Sequence, residues 1–179
     1  MSRPRFLLDG MLGKLTRWLR LFGFDAEYRR TLSDEDLINL ALEERRILLT
    51  RDVDLHRRAK RKGVETLLVG GRTEAEELAE VSVRLGVELR VEPAELRCPK
   101  CDAPLREVEK GEVKDKVPSK TYEVYNEFWV CEKCGQVYWR GAHWKNIQRI
   151  VEKANSIKQN REGSATSRWV KSVSAPGYQ

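Results

Sequence analysis

Over the first ninety residues, short apolar runs that end at an acid or a glycine alternate with stretches whose apolar side chains recur every three or four positions. The first run, RFLLD from Arg5 to Asp9, has the length of a buried parallel strand, and Gly10 turns the chain after it. Leu12, Leu15, Trp18, Leu19 and Phe22 then recur at helical spacing up to a C-capping Gly23, with Lys14, Arg17 and Arg20 on the other side. Residues 24–28 read as a second strand. Ser33 opens a helix as N-cap, with Asp34, Glu35 and Asp36 in its first turn and Leu37, Ile38, Leu40 and Ala41 on its apolar face. RILLT from Arg46 to Thr50 is the third strand and runs into TRDVDL; a basic helix over 53–62, a strand over 65–69, a helix over 73–85 and an edge strand over 87–91 follow.

Strands alternating with helices in this way predict an α/β domain over residues 1–92, a doubly wound parallel sheet with its site outside the carboxyl ends of the strands. Pro93 to Leu96 link it to a small β domain over 97–145. There the stretch KVPSKTYEVYNEFWV offers alternating Tyr122 and Val124, then Phe128 and Val130, as strand positions. A basic C-terminal helix over 146–162 is marked by Ile147, Ile150, Val151, Ala154 and Ile157, and residues 163–179 lack periodicity and read as a flexible basic tail.

The chain's four cysteines form two Cys-x-x-Cys pairs, Cys98/Cys101 and Cys131/Cys134. Two residues between thiolates let one short turn aim both sulfurs at a single ion, and two such turns complete the closed tetrahedral site of a structural zinc ribbon. A domain of about 50 residues buries little apolar surface, so the metal would stabilise it. The alternative is four reduced or disulfide-paired cysteines. The opening MSRPRFLLDG lacks a secretory leader, which points to a reducing, cytoplasmic setting. No run approaches the roughly 18 apolar residues of a membrane helix.

Charge sharpens the picture only when divided along the chain. Residues 1–92 carry 18 Lys and Arg against 17 Asp and Glu, residues 93–139 carry 8 against 9, and residues 140–179 carry 8 against 2. The excess therefore lies at the C-terminal end, which suits a polyanion partner, although a solvated helix and tail would look the same.

Three acids stand at positions a parallel sheet would bring to one edge: Asp9 ends the first strand, Asp52 follows the third, and Asp36 lies in the first turn of the helix between the second and third strands. Converging carboxylates repel unless a cation holds them, and Mg²⁺ or Mn²⁺ suits such ligands. The chemistry that follows is metal-assisted phosphodiester hydrolysis. Asp34 and Asp54 are supporting candidates, and Thr50 can orient a ligand or water through its hydroxyl. The rival reading makes Asp34 and Asp36 helix N-terminal acids and Asp52 and Asp54 caps of the next helix, leaving only Asp9 unexplained. His56 and His143 are far apart in sequence, and GMLG and VGG lack the lysine and hydroxyl of a phosphate-binding loop.

The segments FLLDGMLGKLTRWLRLFGFDAEY, DEDLINLAL, RRILLTRDVDL, RCPKCDAPL and CEKCGQVYWRGAH, in this order over about residues 4–150, resemble the Mut7-C RNase domain family, PIN-like proteins with a zinc ribbon after the nuclease fold. The resemblance implies a PIN-like sheet and divalent-metal-dependent RNA cleavage at Asp9, Asp36 and Asp52. The further acid usual in PIN proteins has no counterpart in 11–22, which holds no acidic residue. On this reading Lys14, Arg17, Arg57, Arg58, Arg140, His143 and Lys145 guide RNA, and Tyr138, Trp139 and Trp144 either stack on unpaired bases or plug the ribbon core. The alternative is a non-catalytic RNA-binding or ribosome-associated factor with a degenerate PIN fold, for which ribosomal RNA is a plausible target.

Overall fold

The structure, a computed structural model, describes residues 3–170, with side chains described through Glu162. Four strands, β1 (Phe6–Leu8), β2 (Ala26–Tyr28), β3 (Ile47–Thr50) and β4 (Thr66–Leu68), form an all-parallel sheet in the order β2-β1-β3-β4. The crossovers are α1 (Gly13–Leu21), α2 (Asp34–Glu44) and α3 (Val53–Arg61), and α4 (Glu74–Leu85) follows β4. Side-chain alternation along the strands builds a core on each face. Phe6, Leu8, Leu49 and Leu67 pack under α1 and α4 against Leu15, Trp18, Leu19, Leu78 and Val81. Leu7 and Leu48 face the other way, onto Leu37, Ile38 and Ala41 of α2 and Leu55 and Ala59 of α3. Burial on both faces is why these strands read as unbroken apolar runs.

Local chemistry fixes the helix ends. The Ser33 hydroxyl accepts from the Asp36 amide at the start of α2, and Thr73 forms a reciprocal capping box with Glu76 at the start of α4. After α1, Gly23 has φ +80°, and a Cβ there would meet the Glu95 carbonyl oxygen at 2.6 Å, so the turn needs both the conformation and the close approach that glycine allows.

The expected edge strand over 87–91 does not form. That segment is irregular chain: Val87 and Leu89 are buried in the core beside α4, and the Ser82 hydroxyl donates to the Val87 carbonyl, so the apolar side chains and that carbonyl are satisfied without a ladder.

A 3₁₀ turn (Pro93–Glu95) leads to a three-stranded antiparallel sheet of β5 (Leu105–Val108), β6 (Phe128–Cys131) and β7 (Val137–Trp139) in the order β5-β6-β7. Its small core is Val108, Val113, Phe128 and Val137. The expectation of strand at Tyr122 and Val124 is corrected: both lie in α5 (Ser119–Val124), where Pro118 presets the entry, Tyr122 leans on the ribbon core and Val124 is exposed. Helix α6 (Ala142–Val170) follows. Ala154 is fully buried, and Ile147, Ile150, Val151 and Ile157 pack onto the α1–α4 core, so α6 returns to the first sheet and lies along α4. It also runs through 163–170, read from sequence as tail; residues 171–179 lie outside the described residues.

Two ionic groups tie the parts together. Arg20, 8% exposed, donates from Nε to the Ala26 carbonyl at 2.8 Å and from a terminal nitrogen to the Pro99 carbonyl at 3.0 Å, 3.6 Å from Asp102. Asp102 accepts from the Ala26 amide at 3.0 Å and from Arg97 at 2.8 Å. At the same end of the sheet Arg46, 7% exposed, reaches Asp25, Glu44 and Glu27, and Arg5 joins Asp25 and Glu44.

Burial raises the Asp25 carboxyl pKa, but hydrogen bonds from Arg46 and Arg5 outweigh it and hold the value below the ordinary range. Asp25 therefore contributes stability that is full above its unfolded value, about 4, and is lost as pH falls through the lower folded value. Removing Arg46 leaves its acids unpaired, so Arg46→Ala is expected to cost about 3 kcal/mol in urea unfolding at neutral pH. The deficit should shrink below about pH 4, where the unpaired acids protonate; a deficit independent of pH would count against the ionic origin.

Candidate functional site

The carboxyl ends of β1 and β3 share one edge of the sheet, because Leu8 pairs with Leu49 in parallel register. Asp9 follows β1 and is 6% exposed; one of its oxygens accepts from the Met11 amide at 2.9 Å and the other from the Thr50 hydroxyl. Thr50, fully buried at the end of β3, accepts in turn from the Asp52 amide at 2.9 Å through the same hydroxyl oxygen. One hydroxyl thus links Asp9 to the backbone of Asp52. The Asp52 carboxylate is exposed and caps α3, accepting from the amides of Asp54 and Leu55 at 2.7 and 2.9 Å.

The remaining acids are placed differently. Asp36 is exposed on α2 and accepts from the Ser33 hydroxyl at 2.6 Å. Asp34 is engaged by Arg58 at 2.9 Å, and Asp54 is exposed beside Arg57. Among the described residues no three carboxylates gather within metal-holding distance. Asp9 and Asp52 are therefore joined by Thr50, Asp36 shares their edge of the sheet, and Asp34 is drawn into an ion pair.

Of the residues expected to meet RNA, Lys14 is exposed above the Asp9 turn, 3.4 Å from Glu74, and Arg17 is exposed on the same helix. Arg57 is exposed, and Arg58 is shared by Asp34 and Glu35. Arg140, His143 and Lys145 lie at the junction of β7 and α6, away from this edge in the chain, with His143 and Lys145 exposed.

One residue of the acidic edge escaped the sequence reading. Glu77, 7% exposed in the first turn of α4, is paired with Arg51, which also donates to the Gly71 carbonyl at 2.9 Å. Burial raises the Glu77 carboxyl pKa, only partly countered by Arg51. Gly71 permits this packing, since a Cβ there would meet the Glu77 amide nitrogen at 2.5 Å. The available signal was an acid on the same helical face as Val81, a position otherwise apolar.

The cysteines converge as their spacing requires. All four sulfurs lie within 4.8 Å of one another, with Cys98 to Cys134 at 3.6 Å and Cys101 to Cys131 at 3.4 Å. Four thiolates about 2.3 Å from a tetrahedral zinc would stand about 3.8 Å apart, so the donor set and its spacing fit a metal ion such as zinc. Burial pushes the Cys98 thiol up, but the Tyr138 hydroxyl at 3.1 Å and the amides of Cys101 and Lys100 bring it down to about 7. Burial dominates at Cys131, pushed up to about 12, and raises Tyr138 as well.

The described residues thus combine a parallel α/β sheet with acids at its carboxyl edge and an antiparallel unit whose four thiols could hold a metal ion. The Mut7-C RNAse domain model matches residues 4–151, and the chain belongs to that family. Comparison with curated proteins and with solved structures finds no match.

The purified protein is expected to carry about one zinc per chain. Cys134→Ser should lose the metal and the slow amide exchange of residues 105–139, because the ribbon core is too small to persist alone. Full exchange protection in a metal-free variant would refute a structural role for the ion.

Proposed function

We propose that this chain is a divalent-metal-dependent endoribonuclease whose reaction centre lies at the Asp9–Thr50–Asp52 edge. The observation that carries the reading is the buried Asp9 carboxylate, held by the Thr50 hydroxyl that also receives the Asp52 amide. Burial disfavours a carboxylate unless charge or donors compensate it, and a bound cation completes that compensation. Asp9 and Asp52 would hold Mg²⁺ or Mn²⁺ directly, with Asp36 contributing from the same edge through water. The ion would activate water and stabilise charge on the scissile phosphate. Thr50 acts as a positioning residue that fixes the rotamer of Asp9, and Lys14 and Arg17, one and two turns beyond it, face the polyanion backbone. Membership of the RNase family supports RNA as the substrate class. Among the described residues no helix is long and apolar enough to cross a membrane.

A second reading, a non-catalytic RNA-binding or ribosome-associated factor, is favoured by one observation: Asp36 and Asp34 are already engaged by Ser33 and Arg58 rather than gathered with Asp9. Cleavage of total and ribosomal RNA with Mn²⁺ or Mg²⁺ separates the two. Asp9→Asn and Asp52→Asn are expected to lose about a hundredfold or more of the activity while still binding RNA, and Asp36→Asn about tenfold. RNA bound tightly with no cleavage in either metal would establish the second reading. Thr50→Val keeps the shape and removes the hydroxyl, so it should raise the Mn²⁺ concentration needed for half-maximal cleavage by roughly 10–100-fold, with recovery at saturating metal; an unchanged metal requirement would exclude the positioning role.

A further inference from the structure

A cavity of about 550 Å³ opens where β7 runs into α6, walled by Tyr125, Trp129, Trp139, Arg140 and Trp144 among others. That volume lies inside the roughly 300–1,000 Å³ of ordinary small-ligand sites. Trp129 is buried; Trp139 and Trp144 are half-buried, and the ribbon core contacts Trp139 without enclosing it. The Arg140 guanidinium lies 5.1 Å from the ring centre of Trp144 and 5.7 Å from that of Trp129. One of its terminal nitrogens meets Glu127 at 3.5 Å, but its Nε is buried and finds no hydrogen-bond acceptor among the described residues. A buried donor without an acceptor is costly, and a shift of the side chain that brings Nε to a hydrogen-bond-accepting ligand edge would relieve it. Gly141 keeps the chain close to Trp139, because a Cβ there would meet the indole Nε1 at 2.7 Å.

We propose that this cavity is a subsite for one unpaired nucleobase of RNA, which stacks on the tryptophan faces and accepts a hydrogen bond from Arg140 Nε. It rests on the RNA reading above and extends it to a second site on a different part of the chain. Three features select a nucleobase over a purely apolar occupant. Beside aliphatic neighbours such as Leu96, Leu105 and Ile147, the lining presents the flat π-faces of Trp139 and Trp144, on which any base can stack. The orphan donor requires a polar edge, which bases carry and an aliphatic side chain lacks. Lys145, Arg149 and Lys153 stand exposed along the adjoining turns of α6, where they can meet the phosphates on either side of the held base. Tyr138 also lines the cavity and is hydrogen-bonded to Cys98 at 3.1 Å, so the metal turn braces its wall.

The test measures binding of the full chain carrying Asp9→Asn, which prevents cutting, to a single-stranded RNA octamer and to the same backbone with abasic riboses, by fluorescence anisotropy and tryptophan quenching. The base-bearing strand is expected to bind roughly tenfold more tightly and to quench fluorescence. Trp144→Leu and the charge-preserving Arg140→Lys should reduce that preference severalfold while leaving abasic binding unchanged, and Trp144→Phe should retain most of it. Zinc content and melting temperature confirm that each variant is folded. Equal affinity for the two strands, equal losses on both in the variants, or displacement of the RNA by an apolar helical peptide would overturn the subsite. A wild-type chain that keeps the base preference yet cuts no RNA would refute the nuclease and leave the subsite standing.

Discussion

The carboxylate of Asp102 is the joint on which the arrangement of the two sheets depends. It follows the second cysteine of the first metal turn, in a left-handed conformation (φ +65°), and accepts from the Ala26 amide at the start of β2, while Arg97 and the buried Arg20 approach it. The backbone at the edge of the parallel sheet is thereby satisfied by a residue of the metal turn, and Arg20 reaches from α1 to the Pro99 carbonyl within the same turn. Burial raises the Asp102 carboxyl pKa, countered by Arg97 and Arg20, and burial also lowers that of Arg20. Such a pair is not a large net source of stability, but each member would be strongly unfavourable alone, so it specifies one docking geometry.

The parallel sheet and its helices were legible because burial on both faces leaves apolar runs and amphipathic crossovers leave a 3.6-residue period. The cysteine set was legible because its spacing is itself the geometry of the site. Asp9, Thr50 and Asp52 were legible as a group from their places at strand ends, and the bridging hydroxyl gives physical content to that inference. Asp36 shows the limit: position in the first turn of α2 predicts the edge, while the choice between a cation and Ser33 depends on a rotamer that sequence does not specify.

Other features left no local trace. Residues 87–91 alternate like a strand, but only the three-dimensional core shows that Val87 and Leu89 are consumed as plugs. Tyr122 and Val124 alternate too, and the helix that holds them is set by Pro118 and by the contact of Tyr122 with the ribbon core. Arg20 reads as one of three cations on an exposed helix side, and its burial follows from the docking of a segment some eighty positions later. Glu77 is likewise one acid among several in α4 until Arg51 and Gly71 are placed around it.

The return of α6 to the first sheet changes what counts as a unit. Ala154 and its isoleucine and valine neighbours complete the core that begins at Phe6, so the ribbon lies in sequence between two parts of one core rather than after a finished domain. A chain emerging from its N-terminal end would present the outer face of α4 bare until more than sixty further residues had been made. Completion of the first sheet's core therefore follows synthesis of the ribbon, and the cysteine turns are already made when the helix after them closes over α4.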